Sequence, residues 1–268
     1  MPSSNRSFAQ PLIQSFNRYL QRKQAAYVLP AVAVVLLLIL WEAVTHIFQI
    51  PQFLLPAPSD VWEAAQNYGA TIWKHSLTTL STTLTGFFLG LGLGVVLGFL
   101  IGYSRLAYLV LYPLLVGFNT IPKVALVPLL AIWFGIGAVP AIITAFTLAF
   151  FPIVVNVAAG LATVEPEMQD VMRSLGASRW EIFQKVGFPH CLPYLFASLK
   201  VAISQAFIGS VISETVASDR GIGYVIISAS ANFNVALAFL AILSLAAMGI
   251  LLYGCFALVE KRTIHWAR

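Results

Sequence analysis

Charge is what this chain has least of. Only 9% of its 268 residues are Asp, Glu, Lys or Arg, where a soluble domain carries about 25%. Hydrophobic residues make up 59%. A soluble fold of this length cannot hide that much apolar surface, so the composition implies an integral membrane protein and excludes a water-soluble enzyme. Acids are absent before Glu42, while Arg6, Arg18, Arg22 and Lys23 precede the first apolar run. That bias places the N-terminus in the cytoplasm. The two cysteines, Cys191 and Cys255, are expected near cytoplasmic ends of spans, where no disulfide forms. His46, His75, His190 and His265 lack metal-ligand spacing, and neither a nucleophile elbow nor a Walker-type glycine-lysine loop occurs. The chain therefore holds no catalytic constellation, no metal site and no means of hydrolysing ATP. The net charge of +5 comes without an aromatic-interleaved basic patch, so no nucleic-acid partner is expected.

A span needs about 20 apolar residues. Six stretches qualify, at 27–48, 80–103, 106–134, 139–161, 192–216 and 235–258. The first is too long for a signal-peptide core and lacks a small-x-small cleavage site, so it reads as a retained anchor. Before it, Phe8, Leu12, Ile13, Phe16 and Leu20 recur at helical spacing. Residues 1–26 are thus either an amphipathic helix at the cytoplasmic lipid surface or a flexible tail. Pro51, Pro56, Pro58, Asp60 and Glu63 predict an extended outer stretch followed by a short helix. The third stretch is too long for one straight span and is interrupted by Pro113, Pro122 and Pro128. The expectation is a short helix, a break near Asn119–Pro122, then the span proper. Broken backbone at membrane depth needs protein or a water-filled cavity around it, which makes this the expected pathway. Residues 259–268, with Lys261, Arg262 and Arg268, form a cytoplasmic tail, and Asp219 and Arg220 fall outside.

Gly86, Gly90, Gly94, Gly98 and Gly102 repeat every fourth residue. On a helix they make a groove that lets a second helix approach closely. A phosphate-cradling turn at Gly90, Gly92 and Gly94 is disfavoured, because no strand or polar flank accompanies it.

Burying a charge in lipid is costly, so Glu42, Lys123, Lys200 and Glu214 need a reason. Lys123, beside the proline breaks, either faces an aqueous cavity and attracts an anionic substrate or snorkels to the interface or pairs with a carboxylate; the second reading is preferred. Lys200 is expected to snorkel inward. Glu214 reads as a structural partner or gate residue, and Glu42 as interfacial.

Between two apolar spans lies a charged island, residues 170–193. Asp170 to Leu175 suit a short helix, and Gly176 allows the backbone angle that ends it. Ser178 can cap a second helix with Glu181 as its capping-box partner, and Pro189 and Pro193 lead into the next span. The island resembles the cytoplasmic EAA loop of permease subunits of binding-protein-dependent ABC importers. Asp170, Gly176, Ala177, Ser178, Phe183, Pro189 and Pro193 fall at the motif's positions, with Asp170 in place of Glu and Val171 and Met172 in place of two alanines. Ala125 to Pro128, Trp133 to Gly137 and Gly221 to Tyr224 look like the subgroup handling sulfonates, taurine, nitrate and pyrimidine precursors.

The resemblance implies an all-α membrane fold of the type I importer kind, with about six transmembrane helices, a permease core at 74–258 and a cytoplasmic coupling helix. It implies a homodimer in the bacterial inner membrane, joined to two ATPase subunits that bind ATP and Mg. An extracytoplasmic binding protein would deliver a small polar or anionic solute. Coupling is assigned to Glu167, Asp170, Arg173, Leu175, Gly176, Ala177 and Ser178, and the pathway to Pro122, Lys123, Pro128 and Glu214. The competing class, an ATP-independent carrier or channel, would favour internal repeats and paired ionisable residues at the midplane. No convincing repeat is visible.

Overall fold

The computed structural model describes residues 25–263; the expected amphipathic N-terminal segment and the end of the C-terminal tail lie outside them. The described residues form helices only: α1 Ala25–Ile47, α2 Pro58–Tyr103, α3 Arg105–Thr120, a 3-10 turn Lys123–Leu126, α4 Val127–Phe134, α5 Ala138–Ala162, α6 Pro166–Ser174, α7 Arg179–Ile182, a π turn Phe183–Gly187, α8 Phe188–Ala217, α9 Ile222–Ala231 and α10 Val235–Thr263. Five segments are long and apolar enough to cross a membrane, and the bent pair α3–α4 makes a sixth.

Two expectations are corrected. The outer stretch after Pro51 does not end in a separate short helix. Pro58 starts α2 at its first turn, Asp60 Oδ2 accepts from Ala57 N at 2.8 Å, and the helix then runs 46 residues without a break. At 1.5 Å per residue this is about 70 Å, far more than a bilayer core, so one end of α2 projects into water. In the third span the longer piece precedes the break. α3 has 16 residues and accommodates Pro113 internally. The chain then bends by 69°, because Pro122 cannot continue the helix and Pro128 sits in the first turn of the eight-residue α4.

The glycine repeat is the spine of the fold. A methyl group placed on Gly86, Gly90, Gly94, Gly98 or Gly102 would meet Ala145, Ala149, Ile153, Val157 or Leu161 respectively, at 2.6 to 3.1 Å. Only a missing side chain lets α2 and α5 come this close. Successive glycines meet successive residues in the same chain direction, so the two helices are parallel. The chain between them must therefore recross the membrane, which makes α3–α4 one crossing. α8 packs antiparallel on α5: Gly160 touches Tyr194, and Gly209 touches Thr144 and Leu148. Phe87, Ala145, Ile153, Val157, Ala202, Ile203 and Ala206 form the buried centre of this three-helix core.

α10 closes the bundle against α8. Lys200 Nζ lies 2.7 Å from Glu260 Oε2, both side chains about a quarter exposed, so Lys200 is ion-paired rather than snorkelling. α1 is attached by its far end, where Trp41 meets Phe239 and Glu42 takes the Ser59 hydroxyl at 2.7 Å and the Ser59 N–H at 3.1 Å. Residues 103–105, 162–188 and 260–263 consequently share one end of the bundle. Residues 48–57, 135–137 and 218–234 share the other.

Candidate functional site

The charged island folds as its residue types require. α6 ends in a Schellman motif: Gly176 adopts φ +81°, its N–H donates to the Arg173 carbonyl at 2.9 Å, and the Ala177 N–H donates to the Met172 carbonyl at 3.0 Å. Ser178 then caps α7 through the expected capping box, with Glu181 N to Ser178 Oγ at 3.3 Å and Ser178 N to Glu181 Oε2 at 2.8 Å. A Cβ at Gly176 would meet nothing within 4 Å. Glycine is needed there for its backbone angle, not to avoid a clash within this chain.

α6 has no buried residue. Met168, Val171 and Leu175 are 50%, 60% and 78% exposed and fall at helical spacing on one face. Two apolar side chains on the nine-residue helix and a third at its C-cap, all facing water, form an exposed patch of the kind that marks an interaction surface. Glu167, four residues before Val171, lies beside this stripe; Asp170 is farther round the helix, where its Oδ1 pairs with Arg173 Nη1 at 3.0 Å. Gln169 and Arg173 point the other way, into a cavity beneath the helix. Leu175 is in the set assigned to coupling from the sequence, Val171 enters there only as a motif substitution and Met168 not at all; their spacing, i, i+3, i+7, is the available signal.

The residues assigned to a pathway are not gathered together. Pro122 precedes the 3-10 turn and Pro128 is the second residue of α4. Lys123 is 9% exposed. Its Nζ donates to the Asn119 carbonyl at 2.9 Å and to Asn119 Oδ1 at 3.1 Å, and it sits 4.5 Å from the centre of the Phe151 ring. Neither a carboxylate nor open water receives it: the ammonium ties off the end of α3 at the break.

Glu214, 2% exposed, sits at the opposite end of the bundle from the coupling helix. Its Oε2 accepts from Thr79 Oγ1 at 2.8 Å and from Gly223 N at 3.1 Å, and Thr82 Oγ1 lies 3.4 Å from Oε1. Thr79 Oγ1 in turn accepts from Ile222 N at 2.8 Å, and His75 Nδ1 from Gly221 N at 3.0 Å. Three successive N–H groups at the start of α9 are thereby satisfied from α2 and α8. α9 is a short return at that end of the bundle, clamped onto the core by one carboxylate, one hydroxyl and one imidazole. Thr79 as a partner of Glu214, 135 positions away, and His75 and Thr79 as acceptors for Gly221 N and Ile222 N, 146 and 143 positions away, leave no local pattern in the sequence.

A bundle of long apolar helices with a broken third span and a short exposed helix at one end is the build of a multi-pass membrane protein. Residues 90–265 match the family described as binding-protein-dependent transport system inner membrane component. The riboflavin transport system permease protein RibX of Chloroflexus aurantiacus is 36% identical over 260 residues, 96% of this chain and 95% of that one. The formylaminopyrimidine transport permease protein ThiX of Halalkalibacterium halodurans is 27% identical, covering 89% and 96%. The taurine transport system permease protein TauC of Escherichia coli is 28% identical, covering 86% of each. The MetNI methionine ABC transporter, in an inward-facing conformation, has the same fold, with a TM-score of 0.56 at 20% identity over 71% of this chain and 93% of that one. This chain belongs to the inner-membrane permease family of binding-protein-dependent transporters. It is a non-catalytic, multi-pass subunit of an ABC importer, a family that works with ATPase and substrate-binding partners.

Proposed function

We propose that two copies of this chain form the translocation unit and that each binds one ATPase subunit through α6 and the residues that follow it. The observation that carries this reading is the exposed stripe of Met168, Val171 and Leu175 on a helix whose end is fixed by Gly176. Glu167, Ala177 and Ser178 frame the same surface, with Asp170 farther round the helix. ATP and Mg sit in the partner; closing of the ATPase pair pushes the two coupling helices, and the bundles rock between inward-facing and outward-facing states. Both ends of the chain face the cytoplasm of a bacterial cell, in line with the basic residues before α1 and after Glu260. A binding protein docks at the end that carries α9 and delivers a small polar or anionic organic solute. Pathway roles for Pro122, Lys123, Pro128 and Glu214 are kept in a restricted form: the break and the α9 clamp shape the walls, and no single charge among them binds cargo.

The test is purification from the native membrane in mild detergent. An ATPase accompanies the wild-type chain and is lost on Gly176→Arg, while the variant stays folded in the membrane. Intact chain that never carries an ATPase, in several detergents, would overturn the coupling assignment.

A further inference from the structure

Beneath α6, on the side turned away from its apolar stripe, lies an open cavity of about 170 Å³, far above the roughly 10–15 Å³ that one water needs. Its floor is made by the ends of α2 and α5 and by the π turn. Its polar walls are Tyr103, Gln169, Arg173 and Arg179. The carboxylates nearest to these arginines in the chain are already engaged: Asp170 holds one corner of Arg173 at 3.0 Å, and Glu181 is turned onto Ser178 at 2.8 Å. Arg179 pairs with no carboxylate among the described residues. A guanidinium has five N–H donors in a planar fork suited to phosphate, and one partner leaves most of them unused. The cavity is thus cationic and rich in donors.

Its depth points to the source of the anion. Tyr103 is 56% exposed and Trp180 63%, and Trp180 stacks on the cavity residue Phe183 with ring centroids 5.3 Å apart. Exposed Tyr and Trp at the ends of spans mark the height of the lipid headgroups. A basic pocket between span ends at that height has the form of an acidic-lipid headgroup site. We propose that this cavity binds the phosphate of an anionic phospholipid, with Arg179 and the free edge of Arg173 as its donors. The bound lipid then props α6 from the membrane side, so that the push on its outer face is passed to α2, α5 and α8 and not spent in tilting the helix.

The full chain, with whatever subunits purify alongside it, is placed in nanodiscs of phosphatidylcholine doped with phosphatidylglycerol, and retained lipids are counted by native mass spectrometry. Wild type retains phosphatidylglycerol with a preference of about tenfold, roughly the 1.4 kcal/mol of one decade in affinity. Arg179→Gln loses most of that preference and Arg179→Lys recovers part of it. Lys185→Gln, which removes an exposed charge from the same end of the bundle without touching the cavity, leaves it unchanged. Equal retention by wild type and Arg179→Gln, or an equal loss in Lys185→Gln, overturns the site. Displacement of the retained lipid by millimolar inorganic phosphate overturns the lipid assignment in favour of a soluble anion. The readout needs neither ATPase nor cargo, so it stands apart from the test of coupling.

Discussion

Gly221 stands directly over the carboxyl group of Glu214, so close that a methyl group on Gly221 would fall on the carboxyl carbon. The same glycine has φ +94°, a region that L side chains rarely enter. The contact and the angle together explain why α9 can begin on top of a buried acid and present three N–H groups to α2 and α8.

Removing the acid leaves one of those three groups, Gly223 N, without its acceptor. Glu214→Ala orphans Gly223 N, and an unsatisfied buried donor costs about 1–3 kcal/mol; the Thr79 hydroxyl loses its shorter bond but keeps the His75 carbonyl at 3.3 Å. Glu214→Gln keeps one oxygen in place and is expected to lose less than half as much. Gly221→Ala suffers both strain and overlap and should resemble Glu214→Ala. Thermal unfolding in detergent ranks the three variants. A Glu214→Ala protein as stable as wild type would show that the clamp does not hold α9.

The glycine spine makes a sharper demand, because its members can be compared with a glycine on the same helix that does not belong to it. A Cβ on Gly98 would lie 2.6 Å from the Val157 Cβ, whereas one on Gly92 would meet nothing within 4 Å. Gly98→Ala must push α2 from α5 and is expected to cost about 1–3 kcal/mol, the usual penalty of overpacking. Gly92→Ala should be neutral or slightly stabilising, since alanine is the better helix former by about 1 kcal/mol. Equal melting temperatures for the two variants would remove the repeat from the packing argument.

Lys123 and Asn119 give a third case, where position in the fold changes the meaning of a charge. Lys123→Ala frees the Asn119 carbonyl at the bend and removes the contact with Phe151, an expected loss of about 1 kcal/mol. Lys123→Gln retains a donor and should recover part of it. If the side chain instead attracts an anionic cargo, both variants would raise the KM of uptake in reconstituted vesicles by a similar factor while leaving the melting temperature alone. The burial and bonding of the ammonium favour the first pattern.

How much of this could be read from residues alone depended on the range of the interaction. The glycine spacing of four, the Ser178–Glu181 capping box and the glycine stop at Gly176 are local patterns, and each appears where its chemistry requires. Helix ends written by proline were harder. Pro58 starts α2, but nothing between Asp60 and Leu80 stops it, and the expected short helix becomes the first part of a continuous one. Pro122 breaks the third span as anticipated, yet which side of the break is longer depends on how α3 packs against α5. Partners distant in sequence left no trace: Glu260 for Lys200, and His75 and Thr79 for the start of α9. The cavity under α6 belongs to this group, because its walls come from three separate stretches of the chain.

Gly176 allows the cause of coupling to be separated from mere folding. Its φ of +81° excludes most side chains by conformation, while the space around its α-carbon excludes none. Asparagine, which enters this region most readily after glycine, should therefore keep both α6 and the ATPase. Alanine should weaken the Schellman turn by about 1 kcal/mol, and valine by more, because β-branching makes a positive φ costlier still. Retention of the ATPase on purification should fall in the order Gly, Asn, Ala, Val, with no parallel fall in global melting temperature, since α6 has no buried residue. Leu175→Asp supplies the complementary arm. It leaves the turn intact and replaces the most exposed apolar side chain of the stripe, so it should release the ATPase although the helix is unchanged. If Leu175→Asp retains the ATPase as well as wild type does, while Gly176→Val loses it, then the partner grips the turn itself and the apolar stripe is not its seat.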